Sequence, residues 1–139
     1  MSNKIVVGDA DSLIALIFKE DANHIRAKEA IDWFLSEQYG IIYPNTAILE
    51  AIVALKRSLN LVSEAHLLNE QYLKGDFLVE FINEEIQRKA SLRFEKTVSK
   101  KNTIFDCLVV EIALDLKADY IFSFDKWYIK EGFNLIPST

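Results

Sequence analysis

Apolar positions along this chain recur in two periods, short β-branched runs and longer segments with helical spacing, and they alternate from one end to the other. The first run, Ile5 to Val7, stops at Gly8 and opens onto two carboxylates, Asp9 and Asp11. The apolar segment Leu13 to Leu16 follows at once and predicts a buried helix start. Asp21 reads as the N-cap of a helix to about Glu37, with Ala27, Ala30, Ile31, Phe34 and Leu35 on its core face. Gly40 ends that unit, and Ile41 to Tyr43 predicts a second strand closed by Pro44. Thr46 then caps a helix through Lys56 whose apolar face is Ile48, Leu49, Ile52, Val53 and Leu55. After a break at Asn60 and Ser63 come a helix from about Glu64 to Lys74 and a third strand from Phe77 to Phe81. Glu84 to about Val98 is helical, with Ile86, Ala90 and Phe94 on one stripe and basic residues on the other. A polar loop, Ser99 to Asn102, precedes a strongly periodic helix from Ile104 to Lys117. Asp119 to Phe122 is a fourth strand, followed by Ser123-Phe124-Asp125; beyond Gly132, Phe133 to Ile136 is a candidate edge strand.

Strands alternating with helices predict βαβ units, a parallel sheet and right-handed crossovers, hence one three-layer α/β domain over residues 1–139. At 139 residues, half of them apolar, the chain can bury about 70% of its unfolded surface. No apolar run reaches the length of a membrane span, and the N-terminus carries no signal-peptide pattern, so no membrane association is expected. The single Cys107 excludes an internal disulfide and suits a reducing compartment. A bacterial or archaeal cytoplasm is the expectation.

The topology changes the meaning of the acids. In a parallel sheet every strand ends at one edge, where open α/β sheets bind ligands. Asp9 leaves the first strand, Glu50 follows the second and Asp125 the fourth. Asp106 begins the helix that leads back into the fourth strand, and such a helix starts at the same edge. Four carboxylates distant in sequence thus converge. Two like charges about 4 Å apart repel by about 4 kcal/mol at an effective dielectric of about 20, so either a carboxyl keeps its proton or a cation binds. Oxygen-only donors favour Mg²⁺ or Mn²⁺ over zinc, and carboxylate-held divalent ions suit phosphodiester hydrolysis.

Each acid also has a local explanation. Asp106 lies three residues after Thr103, a capping-box spacing; Asp125 can cap a turn before Lys126-Trp127-Tyr128. Asp9 and Asp11 can form Asx-turns, and Glu50 alone is an ordinary solvated helix residue. Their shared edge carries the case. His24 and His66 lack matching ligands, Cys107 lacks a partner histidine, and Trp33 and Trp127 read as core anchors.

The net charge of −5 argues against a general nucleic-acid coat. Its distribution is uneven, however: Gln87 to Thr103 holds Arg88, Lys89, Arg93, Lys96, Lys100 and Lys101 against Glu95. Such a run is commonly a solvated helix face. Placed just before Asp106, it can also hold the phosphates flanking a cleavage point, as can Lys56 and Arg57 on the Glu50 helix.

At these residues the chain resembles the PIN-domain family, and within it the small VapC-like toxins of type II toxin–antitoxin pairs. I-V-V-G-D-A-D-S-L-I-A-L resembles the family's strand, acid and apolar helix, and P-N-T-A-I-L-E-A its second motif. The block T-I-F-D-C-L-V-V-E-I-A-L-D-L-K-A-D-Y-I-F-S-F-D-K-W-Y-I-K-E-G-F resembles the third acid, its helix, and the strand ending in Thr/Ser-x-Asp. The resemblance implies a PIN-like α/β/α fold with a mainly parallel sheet and a metal-dependent endoribonuclease using Mg²⁺ or Mn²⁺. Its acidic quartet, catalytic and metal-holding, would be Asp9, Glu50, Asp106 and Asp125. Ser123 would orient the cluster, and Asp11, standing where relatives often carry Asn or Ser, would support it. An RNA substrate, a cognate antitoxin and a homodimer are implied as partners.

Two rivals remain at this stage. A haloacid-dehalogenase-like phosphatase would use the Asp9-Ala10-Asp11 pair, but it leaves Glu50 without a role. A non-catalytic PIN-like module would bind RNA or a partner protein, although all four acids are present.

Overall fold

A computed structural model describes residues 4–137. Strands β1 (Ile5–Gly8), β2 (Gly40–Pro44), β3 (Leu78–Glu80) and β4 (Tyr120–Phe122) form one sheet in the order β3-β2-β1-β4, parallel throughout. Placing β1 at the centre is what the sequence composition requires: Val6 and Val7 are both fully buried, one on each face. Val6 and Phe122 pack against α2 (His24–Ser36), whereas Val7 and Ile121 pack against α5 (Glu84–Lys96) and α6 (Ile104–Asp115). A third cluster gathers around Tyr43 from α1 (Ala10–Ile17), α3 (Asn45–Val53) and α4 (Val62–Leu73). The result is the three-layer α/β/α arrangement expected from the alternation of periods.

Gly8 is required by this packing. A Cβ there would overlap the ring of Tyr43, whose hydroxyl is hydrogen-bonded to Ser12 at 3.0 Å. The end of β1 can therefore pass beneath Tyr43 only without a side chain.

Several boundaries differ from the sequence reading. The second helix begins at His24, because the Asp21 carboxylate accepts the Asn23 N–H at 2.8 Å and closes a turn instead. Pro44 rather than Thr46 precedes α3, and the Asn45 side chain accepts the Ile82 N–H, tying α3 to the end of β3. The expected continuation to Lys56 widens into a π-turn, Ala54–Ser58, which ends before Asn60 at φ 55°. The basic helix stops at Lys96, where extended Thr97 returns its hydroxyl to the Arg93 carbonyl. Phe133 to Ile136 forms no strand; one backbone bond, Ile121 N–H to the Asn134 carbonyl at 2.9 Å, takes its place at the β4 edge. A short helix, α7 (Trp127–Lys130), lies between. Among the described residues no helix is long and apolar enough to cross a membrane.

Candidate active site

The carboxyl edge of the sheet carries a cavity of about 420 Å³ lined by Asp9, Asp11, Glu50, Asp106 and Asp125, with Lys101 at the same cavity. The structure thus brings together all four acids of the expected quartet and adds Asp11 as a fifth. How each arrives is a matter of local chain chemistry.

Asp9 is the N-cap of α1: its Oδ1 accepts the Ala10 N–H at 2.7 Å, and its own N–H is held by the Phe122 carbonyl. Its Oδ2 accepts a 2.6 Å hydrogen bond from the Tyr128 hydroxyl. Asp106 occupies the third position of α6 in a capping box with Thr103, accepting the Thr103 N–H at 3.1 Å. Asp125 accepts the Trp127 N–H on Oδ1 at 3.0 Å and so starts the turn into α7. The capping roles suggested by spacing are therefore real, and they are also the devices that fix these acids at the sheet edge. Glu50 differs, since among the described residues its carboxylate has no hydrogen bond; it reaches the cavity from the middle of α3.

Two residues that the sequence did not single out join the acids. The Asn102 amide donates to Asp106 Oδ2 at 3.0 Å and to Asp125 Oδ2 at 2.9 Å, bridging the two carboxylates. The Tyr128 hydroxyl, besides its bond to Asp9, lies 3.4 Å from Asp106 Oδ1. Asp9, Tyr128, Asp106, Asn102 and Asp125 form one connected chain of neutral donors between acids. Asn102 stands four residues before Asp106, and Tyr128 three after Asp125; those intervals were the only trace in the sequence.

Asp11 turns away from this chain. Its Oδ2 accepts from the Ser123 hydroxyl and the Phe124 N–H, both at 2.8 Å, so it staples the β1–α1 junction to the loop after β4. Its Oδ1 is buried without a hydrogen-bond partner. Ser123 also accepts the Asp125 N–H at 3.1 Å, so it positions Asp11 and Asp125 together.

The acids repel and are desolvated, and their protonation shows it. Burial first, then the charges of Asp11, Asp106 and Glu50, hold the Asp9 carboxyl well above the usual range against the Tyr128 hydrogen bond. Burial raises Asp11 to about 6 despite its bonds to Phe124 and Ser123. Glu50 rises to about 7 through burial and the charges of Asp106 and Asp11. Asp106 is raised by burial, partly offset by its bonds to Thr103 and Asn102. An anionic cluster kept partly protonated is a site prepared for positive charge.

The basic residues separate. Lys101 reaches the acid cavity, and Lys56 and Arg57 are exposed on the π-turn whose first residue, Ala54, lines it. Lys96 and Lys100 are exposed, and Lys96 lines a different cavity. Arg93 departs from the expected phosphate-holding strip: it pairs with Glu111 at 3.2 Å and Glu131 at 3.4 Å, because Glu111 is buried on α6 and needs a countercharge. His24 is engaged through Nδ1 with the Ala15 carbonyl, and Cys107 is fully buried beside Thr97.

Asp9 and Asp11, the pair that the phosphatase alternative would use, line one cavity but are hydrogen-bonded to different groups, Asp9 to Tyr128 and Asp11 to Ser123 and Phe124.

Comparisons with known proteins agree with this architecture. No curated protein matches the sequence. Among solved structures, the chain is similar to Mycobacterium tuberculosis VapC20, described as a Sarcin-Ricin loop cleaving toxin, with a TM-score of 0.80 and 17% identity. That alignment covers 92% of this chain and 95% of the other, a likeness of fold along nearly the whole of both. The family model of the PIN domain matches residues 6–130, a span that includes every one of the five clustered acids, and the chain therefore belongs to the PIN-domain family.

Proposed function

We propose that this protein is a divalent-metal-dependent endoribonuclease that hydrolyses RNA phosphodiester bonds, acting in the cytoplasm as the toxin of a type II toxin–antitoxin pair. A homodimer held in check by a cognate antitoxin is the corresponding assembly. The observation that carries the reading is the convergence of Asp9, Glu50, Asp106 and Asp125 on one cavity in a chain of this family. The fold it shares with a toxin that cleaves the Sarcin-Ricin loop supports RNA as the substrate class.

The donor set suits Mg²⁺ or Mn²⁺. It is made of carboxylate oxygens, and the partnerless Oδ1 of Asp11 leaves a buried acceptor to be satisfied. Among the described residues no three His, Cys, Asp or Glu side chains are grouped to chelate an ion directly. Mg²⁺ commonly binds through one or two carboxylates and retains its waters, so this spacing fits it. Asp9, Glu50, Asp106 and Asp125 would hold the ion, one or two of them directly and the others through its waters; when bound it orients the phosphodiester and neutralises charge developing on the leaving oxygen.

The chain's own groups have distinct tasks. Glu50, whose carboxylate has no hydrogen bond among the described residues, is the acid freest to turn toward the ion or its bound water. Tyr128 and Asn102 keep Asp9, Asp106 and Asp125 at fixed separations, so substrate does not wait on their rearrangement. Lys101 meets an incoming phosphate at the cavity and offsets the acidic field.

The test is cleavage of a labelled RNA hairpin by the purified protein with Mn²⁺ and with EDTA. Asp106→Asn and Asp9→Asn should abolish Mn²⁺-dependent cleavage while their circular dichroism stays native. Activity surviving either substitution, or calorimetry detecting no Mg²⁺ or Mn²⁺ binding, would overturn the assignment; in the second case the fold serves as a binding module.

A further inference from the structure

A second cavity, about 860 Å³, lies apart from the acidic one. It is a groove between α5, the loop after it and α7, lined by Lys89, Lys96 and Lys130, with Trp127, Leu92 and Val98 among them. Arg93 lines it too, but is committed to Glu111 and Glu131. Counting all of these groups, four cations face two carboxylates, an excess of two positive charges in a chain of net −5. Lys89 has only an exposed pair with Glu85 one turn away, an interaction of little energy that a phosphate can replace. Lys96 and Lys130 have no ion pair among the described residues.

The groove and the acid site are joined by two segments of chain. Thr97, Val98 and Ser99 line the groove, and Lys101, two residues on, lines the acid cavity. On the other side Trp127 lines the groove while its N–H is bonded to Asp125. The groove also offers two unlike surfaces together. Val98 is 96% exposed, Leu92 is exposed and Trp127 half-buried, so apolar and aromatic area lies among lysines. Cations that follow a backbone beside an aromatic platform are the chemistry of single-stranded nucleic acid, where bases stack and phosphates pair. An acidic protein segment would satisfy the lysines but not the ring.

We infer that this groove is a binding site for single-stranded RNA, holding the part of the strand beyond the bond presented to the acids. The inference rests on the nuclease reading for its biological meaning, but binding is measured apart from cleavage. Lys96 and Lys130 pair with phosphates, and Trp127 stacks a base two residues from Asp125.

The experiment is fluorescence anisotropy of a labelled 12-nucleotide oligouridine with the full chain in EDTA, where no cleavage occurs. Lys96→Ala/Lys130→Ala should weaken binding on the order of tenfold at low salt, and should lower the slope of log K against log salt by about 1.4, two phosphate contacts' worth. In a Trp33→Phe background Trp127 is the sole tryptophan, and its emission should be quenched as the oligonucleotide binds. Cleavage by the same protein is measured separately, with Mn²⁺ added. Absence of Mn²⁺-dependent cleavage with groove binding intact would count against the nuclease reading alone. Unchanged affinity and slope in the double lysine variant would overturn the groove assignment. So would an unquenched Trp127, or a 12-residue oligoglutamate that binds as tightly as the RNA, which would make the groove a docking surface for an acidic protein segment.

Discussion

Replacing Asp11 by asparagine should stabilise the metal-free protein, and only above mildly acidic pH. The Asp11 carboxyl titrates at about 6 in the folded chain against 3.8 ordinarily, chiefly because it is buried. A carboxyl whose folded value is raised contributes its full stability below its unfolded value and loses it as pH rises through the folded value. Ionised Asp11 therefore costs the native state about 3 kcal/mol at pH 7.5, two units at 1.36 kcal/mol each. The asparagine oxygen can keep both bonds that Oδ2 accepts, from Ser123 and Phe124. Its amide then occupies the place of Oδ1, which has no partner, and an unpaired buried donor costs about 1–2 kcal/mol. The net gain is about 1–2 kcal/mol, or about 3–7 °C in Tm for a chain of 139 residues. Thermal unfolding followed by circular dichroism in EDTA at pH 4.5, 6 and 7.5 reads it directly. The variant should be no more stable than the parent at pH 4.5 and should gain steadily toward pH 7.5. A variant less stable by a constant margin at every pH would refute the reasoning, because the hydrogen-bonded shape of Asp11 rather than its charge would then dominate.

Tyr128→Phe deletes the 2.6 Å bond to Asp9 Oδ2 and should cost about 1–3 kcal/mol in urea unfolding without metal, with weaker Mn²⁺ binding by calorimetry; unchanged stability and affinity would remove Tyr128 from the cluster. Gly8→Ala should destabilise by about 3 kcal/mol or more in the same assay, since the new methyl collides with a Tyr43 ring fixed by Ser12 and packed on Phe77. Gly40→Ala is its control: there the added carbon meets Leu78 at an ordinary 3.8 Å, and the change should stay within about 1 kcal/mol.

The sequence by itself determined the sheet and the edge. The β-branched run Ile5–Val7, stopped by Gly8, favours a buried strand. A parallel sheet then leaves Asp9, Glu50 and Asp125 at one rim, with Asp106 delivered to it by a capped helix. Those are local signals, period and cap, joined by a topological rule. What tertiary structure alone decided is how the acids are kept apart. Tyr128 meets Asp9 across 119 residues, Asn102 bridges Asp106 and Asp125, and Arg93 is drawn from the expected strip to two acids on α6 and beyond α7. The widening at Ala54–Ser58 and the single backbone bond that replaces an edge strand at Phe133 to Ile136 belong with these. None follows from spacing, because a polar side chain takes whichever partner burial leaves it, and burial is set by the whole fold. Asp9 and Asp11 show the division most plainly: the motif order separated a quartet member from a supporting residue, but that one faces Tyr128 and the other Ser123 was set by the packed chain.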